Sequence, residues 1–139
     1  MKGASAGRRP RASSAERRAR SGLLFSWEMC ARTRYRAEES NHDLDMLKVG
    51  PYPWVVKQRV LSRTGHLSNH AVSEFLADPE GFDGRARYLV LAHISQENNN
   101  PDLALLCAEE ALGRRPAEFA FTGELLVASQ DVPLKPLEL

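Results

Sequence analysis

One short stretch constrains the fold of this 139-residue chain more than any other: the apolar run in "ARYLVLAH", residues 86 to 93. A continuous apolar run of this length is typical of a strand buried on both faces of a sheet. After the run ends at His93, "NPDLALLCAEEALG" begins with Asn100 at an N-cap and Pro101 at the first helical position. A buried strand followed by an amphipathic helix indicates a layered α/β fold.

The same alternation of elements extends through residues 38 to 139. Helical spacing and capping residues predict helices near residues 53 to 63, 69 to 77 and 101 to 113, with the buried strand near 87 to 92. The segment "HDLDMLKVG" predicts a short helix stopped by Gly50, and "ELLVASQDVP" predicts a last strand. We therefore expect an α/β body over residues 38 to 139.

The first 37 residues differ in composition from the body. They hold ten Lys and Arg against two acidic residues, a net charge of +8, whereas residues 38 to 139 carry −7. Residues 1 to 22 offer little apolar surface to offset the entropy of ordering, so we expect residues 1 to 37 to form a basic, disordered segment. Three interpretations stay open: a nucleic-acid-binding arm, an organelle transit peptide, and a segment without function joined by a truncation or frame error.

Cysteine spacing and hydropathy exclude several classes of protein. Cys30 and Cys107 lie far apart, so the chain has no disulfide framework and no zinc knuckle, and this usage fits a reducing cytoplasm. No run of about 18 apolar residues occurs, so no membrane-spanning segment is predicted.

Histidines are the candidate functional residues. His93 stands at the carboxyl end of the buried run, where α/β proteins commonly place chemistry. His66 follows Gly65 in a turn before a helix, and His42 is next to Asp43. His70 lies inside a predicted helix with no partner at metal spacing. Spacing alone leaves each histidine open to a structural or surface role, since the chain has no HExxH, GxSxG or P-loop motif.

Four sequence blocks carry more information together: "SNHD", "GPYPWVVKQRVLS", "GHLSN" and "LAHISQENN". In this order they resemble the C-terminal part of metallo-β-lactamase-fold hydrolases of the YycJ-like branch, over about residues 38 to 139. The resemblance implies the C-terminal half of an αββα sandwich and a metal-dependent phosphodiesterase or nuclease. It also implies two divalent metal ions, zinc or manganese, at one edge of the paired sheets. Residues 1 to 37 resemble nothing in that family.

The resemblance also implies roles for individual residues. His93 matches the last histidine ligand of the family, so it is the expected metal ligand in this chain. His66 and Asn69 of "GHLSN" are the expected catalytic residues, which touch substrate or orient the ligands. His42 and Asp43 of "SNHD" match a motif at the edge of the site. We therefore expect His66 and His93 to approach one another on the same open edge.

The chain also departs from the family pattern. The main metal motif, His-x-His-x-Asp-His, is absent, and residues 1 to 41 contain neither His nor Asp. A chain lacking those ligands is expected to be a hydrolase fragment that is inactive alone, because metal affinity depends on the full set of ligands. Its exposed apolar surface is expected to promote self-association. The alternative function is a nucleic-acid-binding module that uses the Arg-rich arm.

Overall fold

A three-stranded parallel sheet forms the centre of the molecule. The computed structural model of the chain describes residues 34 to 138. The strands are β1 (Tyr35–Glu39), β2 (Tyr88–Ala92) and β3 (Glu124–Val127), in the spatial order β1-β2-β3. Tyr88 of the central strand pairs with Tyr35 on one side and with Glu124 on the other. The predicted buried strand is therefore confirmed, and so is the strand near the carboxyl terminus.

Four α-helices fill the connections between the strands. Three of them, α1 (Leu44–Val49), α2 (Trp54–Val60) and α3 (Asn69–Ala77), lie between β1 and β2. The fourth, α4 (Pro101–Gly113), joins β2 to β3 and is followed by a 3₁₀ turn at Ala117–Phe119. The three helices predicted from spacing and caps are confirmed, although α2 ends three residues before the predicted residue 63.

Capping residues explain where the helices begin. Asp43 accepts hydrogen bonds from two backbone N–H groups at the start of α1, and Ser68 accepts one at the start of α3. Asn100 caps α4 directly before Pro101, as the sequence predicts. Gly50 follows the last residue of α1 and is its C-cap. Each cap satisfies backbone groups that the helix itself leaves unpaired.

The hydrophobic core lies between β2 and the helix pair α3–α4. Small residues on α4 allow a close approach to α3, which contributes larger side chains to the same cluster. The buried members include Val72, Phe75, Leu76, Leu89, Leu91, Ala104, Ala108 and Ala111. Tyr88 and Val90, which alternate with the two buried leucines of β2, are also covered. The central strand is therefore buried along both faces, as its continuous apolar sequence predicts.

The amino-terminal boundary lies earlier than the composition suggests. The basic segment was expected to extend to residue 37, but β1 begins at Tyr35 and takes part in the sheet. Arg36, which makes this segment look unlike a strand, stacks over the ring of Phe75 and bonds Glu38. A guanidinium packed on an aromatic face can occupy a half-buried strand position. The expected disorder of residues 1 to 33 falls outside the described residues.

The α/β class is confirmed over residues 34 to 138, which contain this single sheet. The αββα sandwich, which needs a second sheet, remains a prediction. Among the same residues, no helix is long and apolar enough to cross a membrane.

Candidate metal centre

Two of the site residues occupy the carboxyl ends of neighbouring strands. Glu39 is the last residue of β1, and Ala92, the last residue of β2, lies opposite it in the register. His93 directly follows Ala92. Because the carboxyl ends of parallel strands meet at one edge of a sheet, Glu39 and His93 are brought together there. His66 reaches the same edge from the turn before α3.

The three side chains form a compact cluster. His66 Nδ1 and His93 Nδ1 each lie 2.6 Å from the same oxygen, Oε1 of Glu39. The two imidazole rings meet edge to face, with centroids 4.8 Å apart. The expected approach of His66 and His93 on one open edge is confirmed, since both side chains are about half exposed at 46% and 57%.

The protonation of Glu39 determines how the histidines are oriented. Burial alone would raise the pKa of this carboxyl, but hydrogen bonds from His93, His66 and the Leu67 backbone N–H outweigh it and lower the pKa. An ionised carboxylate only accepts hydrogen bonds, so each imidazole donates through Nδ1–H. A neutral ring in this orientation keeps an unprotonated Nε2, the atom that can bind a metal ion or accept a proton.

His93 is held in an unusual backbone conformation. Its φ of 57° lies in the left-handed region, which is uncommon for a residue other than glycine. Asn41 fixes this conformation by donating from its side-chain amide to the carbonyl of His93. The backbone of Asn41 also bonds Leu67 and Ser95, at 2.8 Å and 2.9 Å. One asparagine therefore joins the three loops that carry the cluster.

Gly65 fixes the position of His66. The turn after α2 brings residue 65 so close to that helix that a Cβ there would lie 2.0 Å from the carbonyl oxygen of Val60. Only glycine fits such an approach. After the turn, Ser68 forms a β-bridge with His42, which ties the segment to the end of β1. The interpretation of His66 as a pocket-facing residue held by a glycine turn agrees with this geometry.

Asn69 lies beneath the cluster rather than in it. Its side chain is 2% exposed and forms a reciprocal amide pair with Asn99, with bonds of 2.9 Å and 2.8 Å. It also accepts a hydrogen bond from Ser40, the neighbour of Glu39. Because every polar atom of this amide faces buried partners, direct contact with substrate, one of the two roles expected for Asn69, does not fit its position. A role in orienting the loop that carries Glu39 remains a proposal.

His42 and Asp43, the two residues expected at the edge of the site, have different surroundings in the structure. Asp43 faces the first turn of α1, where its carboxylate caps the helix. His42 is 2% exposed, and neither of its ring nitrogens has a hydrogen-bond partner within residues 34 to 138. Burial, followed by the charge of His66, lowers the pKa of His42, although the carboxylates of Glu39 and Asp43 oppose this shift. His42 is therefore held as a neutral imidazole.

A cleft of about 720 Å³ adjoins the cluster, with His66, His93 and His42 in its walls. Loop residues after β2 and side chains of α2 also contribute to the lining. His70 is not part of this lining, and it lies on α3 with its Nε2 3.7 Å from a carboxylate oxygen of Glu74. The cleft connects the cluster to solvent and can admit an extended ligand.

The donor set of the cluster fits one divalent metal ion. Glu39, His66 and His93 each offer a ligand atom, and these atoms lie within 4.8 Å of one another. Two imidazoles and a carboxylate are a common ligand set for catalytic zinc and related metals, which keep further positions open for water or substrate. Across residues 34 to 138 this cluster is the one group of three or more such side chains, so a second ion has no comparable ligand set there.

Sequence comparison identifies relatives of the chain. It is 39% identical over 74 residues to the protein named exodeoxyribonuclease YycJ of Bacillus anthracis, covering 53% of this chain and 27% of that protein. It is 44% identical over 66 residues to exodeoxyribonuclease WalJ of Streptococcus pneumoniae, covering 48% of this chain and 24% of that protein. The chain is a relative of the YycJ and WalJ exodeoxyribonucleases.

YycJ and WalJ belong to the metallo-β-lactamase fold family, so the resemblance seen in the sequence is confirmed. The matched region of the chain corresponds to about a quarter of the length of these relatives. No family model matches the chain, and no solved structure matches it.

Glu39 is the residue of the cluster that the sequence alone did not reveal. It directly precedes the block "SNHD", in which the resemblance assigned roles to His42 and Asp43 but not to the residue before the block. The available signal was its place at the end of a strand parallel to the one that ends before His93. The sequence did not predict β1, because Arg36 made these residues look like part of the basic segment.

Proposed function

We propose that this chain contributes part of the active site of a metal-dependent hydrolase that cleaves DNA phosphodiesters. The observation that carries the proposal is the cluster of Glu39, His66 and His93 at the mouth of an open cleft. The names of the YycJ and WalJ relatives support DNA as the substrate class. In this proposal the described sheet belongs to an αββα sandwich of the metallo-β-lactamase type, within a domain over about residues 38 to 139.

The cluster has the properties that such a site needs. Without an ion, Glu39 accepts a hydrogen bond from the Nδ1 atom of each imidazole, and a bound ion would take one ligand atom from each of the three side chains in place of these bonds. We propose zinc or manganese as the bound ion. A divalent ion there would polarise a phosphate oxygen and lower the pKa of bound water. His66, which the turn after Gly65 holds at the cleft, is the proposed catalytic histidine, and His93 is the proposed metal ligand.

The proposal includes inactivity of the chain by itself. Phosphodiester hydrolysis in two-metal sites uses a pair of ions that clamp the attacking and leaving oxygens. The sequence lacks His-x-His-x-Asp-His, and the cluster has ligands for one ion. We therefore propose that hydrolysis requires ligands from outside this sequence. Incubation of the purified chain with linear double-stranded DNA and Mn²⁺ or Zn²⁺ should give no cleavage above background.

Metal binding tests the site independently of cleavage. Calorimetric titration of the chain with Zn²⁺ should show one weak site, and His93→Ala should abolish it. His70→Ala is the matched control, because His70 is an exposed histidine on α3 outside the cluster. Equal loss of zinc binding in both variants, or robust Mn²⁺-dependent DNA cleavage that His93→Ala abolishes, would contradict the proposed arrangement of one partial site.

The charge of the amino-terminal segment supports a second candidate function, nucleic-acid binding by the Arg-rich arm. The net charge of +8 in residues 1 to 37 is suited to phosphate contacts that release counterions. DNA affinity should then fall steeply with salt concentration, and removal of residues 1 to 33 should flatten the dependence. The deletion stops before Tyr35, where β1 begins. An unchanged salt dependence after the deletion would exclude the arm.

A further inference from the structure

The cleft beside the metal cluster has a second polar wall. His66 and His93 line it at one end, and Tyr52 and Arg59, from the segment around α2, line it as well. Its volume of about 720 Å³ falls in the range of sites that take small molecules, roughly 300 to 1,000 Å³. A ligand in this cleft would therefore contact residues far beyond the metal cluster.

The wall formed by the segment around α2 carries positive charge at Arg59, while Glu97 is the acidic residue among those that line the cleft. Residues 44 to 66 hold four basic residues against one acidic residue, although the body over residues 38 to 139 carries −7. Arg59 is exposed and lines the cleft, and its guanidinium forms no salt bridge with any residue between 34 and 138. An arginine without a carboxylate partner at a cleft is suited to bind phosphate through two parallel hydrogen bonds.

Two buried polar groups in the same lining lack partners. His42 is 2% exposed and Asn98 is 1% exposed. Within residues 34 to 138, both ring nitrogens of His42 and the Oδ1 atom of Asn98 have no hydrogen bond, and each atom exposes less than 1 Å². A buried polar atom without a partner is costly and calls for an explanation. Both residues line the cleft, so a ligand seated in it lies beside these atoms, and a small movement of the lining side chains on binding would let the ligand supply the missing hydrogen bonds.

We propose that this cleft is a subsite for one deoxynucleotide of a DNA strand, with its phosphate at Arg59 and its sugar or base edge at His42 and Asn98. This proposal rests on the proposed function, because the strand would then continue to the phosphodiester at Glu39, His66 and His93. Tyr52, which also lines the cleft, is an aromatic residue of the kind on which nucleobases stack. The ligand class follows from the presence of a guanidinium, an imidazole, an amide and an aromatic ring in the lining of one cleft.

Binding of deoxyadenosine monophosphate in the presence of a chelator tests the subsite apart from metal and hydrolysis. Titration of the full chain, followed by calorimetry and by the imidazole NMR signals of His42, should show tighter binding than for deoxyadenosine or inorganic phosphate. The His42 signals should shift on binding. Arg59→Gln should weaken the nucleotide about tenfold or more, because it removes a charge-assisted hydrogen bond.

Arg63→Gln is the matched control, since it removes the same charge four residues further along at an exposed position outside the lining. It should leave nucleotide affinity within about twofold of wild type. Equal weakening by both variants would show that nucleotide binding depends only on the total positive charge. No weakening by either variant would show that the nucleotide binds elsewhere, such as at the basic arm, and both outcomes would overturn the proposal. Inorganic phosphate binding as tightly as the nucleotide would also overturn it.

The result of the nucleotide titration can be distinguished from a failure of the proposed function. No metal is present in this titration and no bond is cleaved, so loss of the subsite leaves the zinc test of His93 standing. Conversely, a chain that fails to bind zinc can still bind the nucleotide. Because His42 is buried and its replacement can unfold the chain, Asn98→Ala serves as a second probe, with its melting temperature measured alongside. A folded Asn98→Ala variant with wild-type nucleotide affinity would contradict the assigned contact.

Discussion

At the scale of single residues, Gly65 is the position where the backbone leaves least room. Gly65→Ala places a methyl group 2.0 Å from the Val60 carbonyl oxygen, so the turn must move. We expect a loss of about 1 to 3 kcal/mol in the free energy of unfolding, the usual cost of overpacking, together with displacement of His66. Urea denaturation and zinc titration measure the two effects.

Gly113 provides the matched control for Gly65. A Cβ built at Gly113 meets nothing within 4 Å, and the residue ends α4. Gly113→Ala should therefore leave the free energy of unfolding unchanged or raise it by up to about 1 kcal/mol, because alanine favours the helical backbone. If both alanine variants behave alike, the close approach at Gly65 does not fix the turn.

The buried imidazole of His42 links stability to pH. Its pKa is lowered in the folded chain, first by burial and then by the charge of His66. A depressed pKa means that the unfolded chain takes up the proton first. The stability that neutral His42 contributes is therefore fully present above about pH 6.5 and is lost as the pH falls through its folded pKa. The free energy of unfolding should decline between about pH 7 and 5.

Replacement of the buried histidine tests that link. In the same pH range, His42→Gln should show a flatter dependence of the free energy of unfolding on pH than the wild type. Glu39 also has a lowered pKa and acts with the same sign, but it titrates below its ordinary value of 4.5, outside this range. Parallel curves for the two proteins between about pH 7 and 5 would show that His42 does not carry the effect.

At the scale of elements, Arg115 joins α4 to the rest of the core. Its guanidinium donates to the carbonyls of Leu76 on α3, Phe82 and Phe119, and the side chain is 7% exposed. Arg115→Met leaves these carbonyls without that donor, at roughly 1 to 3 kcal/mol for a buried group. We expect a loss of about 2 to 4 kcal/mol in the free energy of unfolding by urea denaturation. Arg114→Met, at the exposed neighbouring position, should change it by less than about 0.5 kcal/mol.

Arg114 and Arg115 show which features of the helices and strands could be predicted from neighbouring residues in the sequence. The predicted end of α4 near residue 113, directly before Arg114 and Arg115, is confirmed, because helix ends follow from residues adjacent in sequence. The sequence could not distinguish the exposed arginine from the buried one, since the three carbonyl acceptors come from distant segments. The same reason hid β1: Arg36 fits a strand only because Phe75, on α3, supplies an aromatic face.

The candidate site was predictable to the extent that its residues stand at element ends. His93 follows a strand that the continuous apolar run revealed, and its approach to His66 was implied by the resemblance to metallo-β-lactamase-fold hydrolases. Glu39 could not be found without knowing that β1 pairs in parallel with β2. Asn69 lies in a block that reaches the site, but the reciprocal amide pair with Asn99 that buries its side chain depends on packing between loops.

At the scale of the whole molecule, an apolar surface remains exposed on α1 and α2. Val49, Trp54 and Val55 are 86%, 68% and 74% exposed, and no residue of α2 is buried. We expect the chain to self-associate, with a mass in analytical ultracentrifugation that rises with concentration, because large exposed apolar side chains favour burial. The double variant Trp54→Ser/Val55→Ser should reduce this association.

An exposed leucine on another helix provides the control for association that any exposed apolar side chain would cause. Leu106 on α4 is 51% exposed, and Leu106→Ser removes a comparable apolar side chain from another helix. That variant should associate as the wild type does. A monomeric wild-type chain at every concentration, or equal loss of association in all variants, would refute self-association through α1 and α2.

The single carboxylate oxygen shared by two histidines also has a kinetic consequence. Glu39 contacts residues 27 and 54 positions further along the chain, so the cluster closes two long loops at one point. Contacts between such distant residues form late in folding and separate early when a parallel sheet opens. An ion coordinated by all three side chains would act as a cross-link that a chelator can remove. Adding chelator to the zinc-loaded chain should therefore speed its unfolding in denaturant, with little effect on its folding rate.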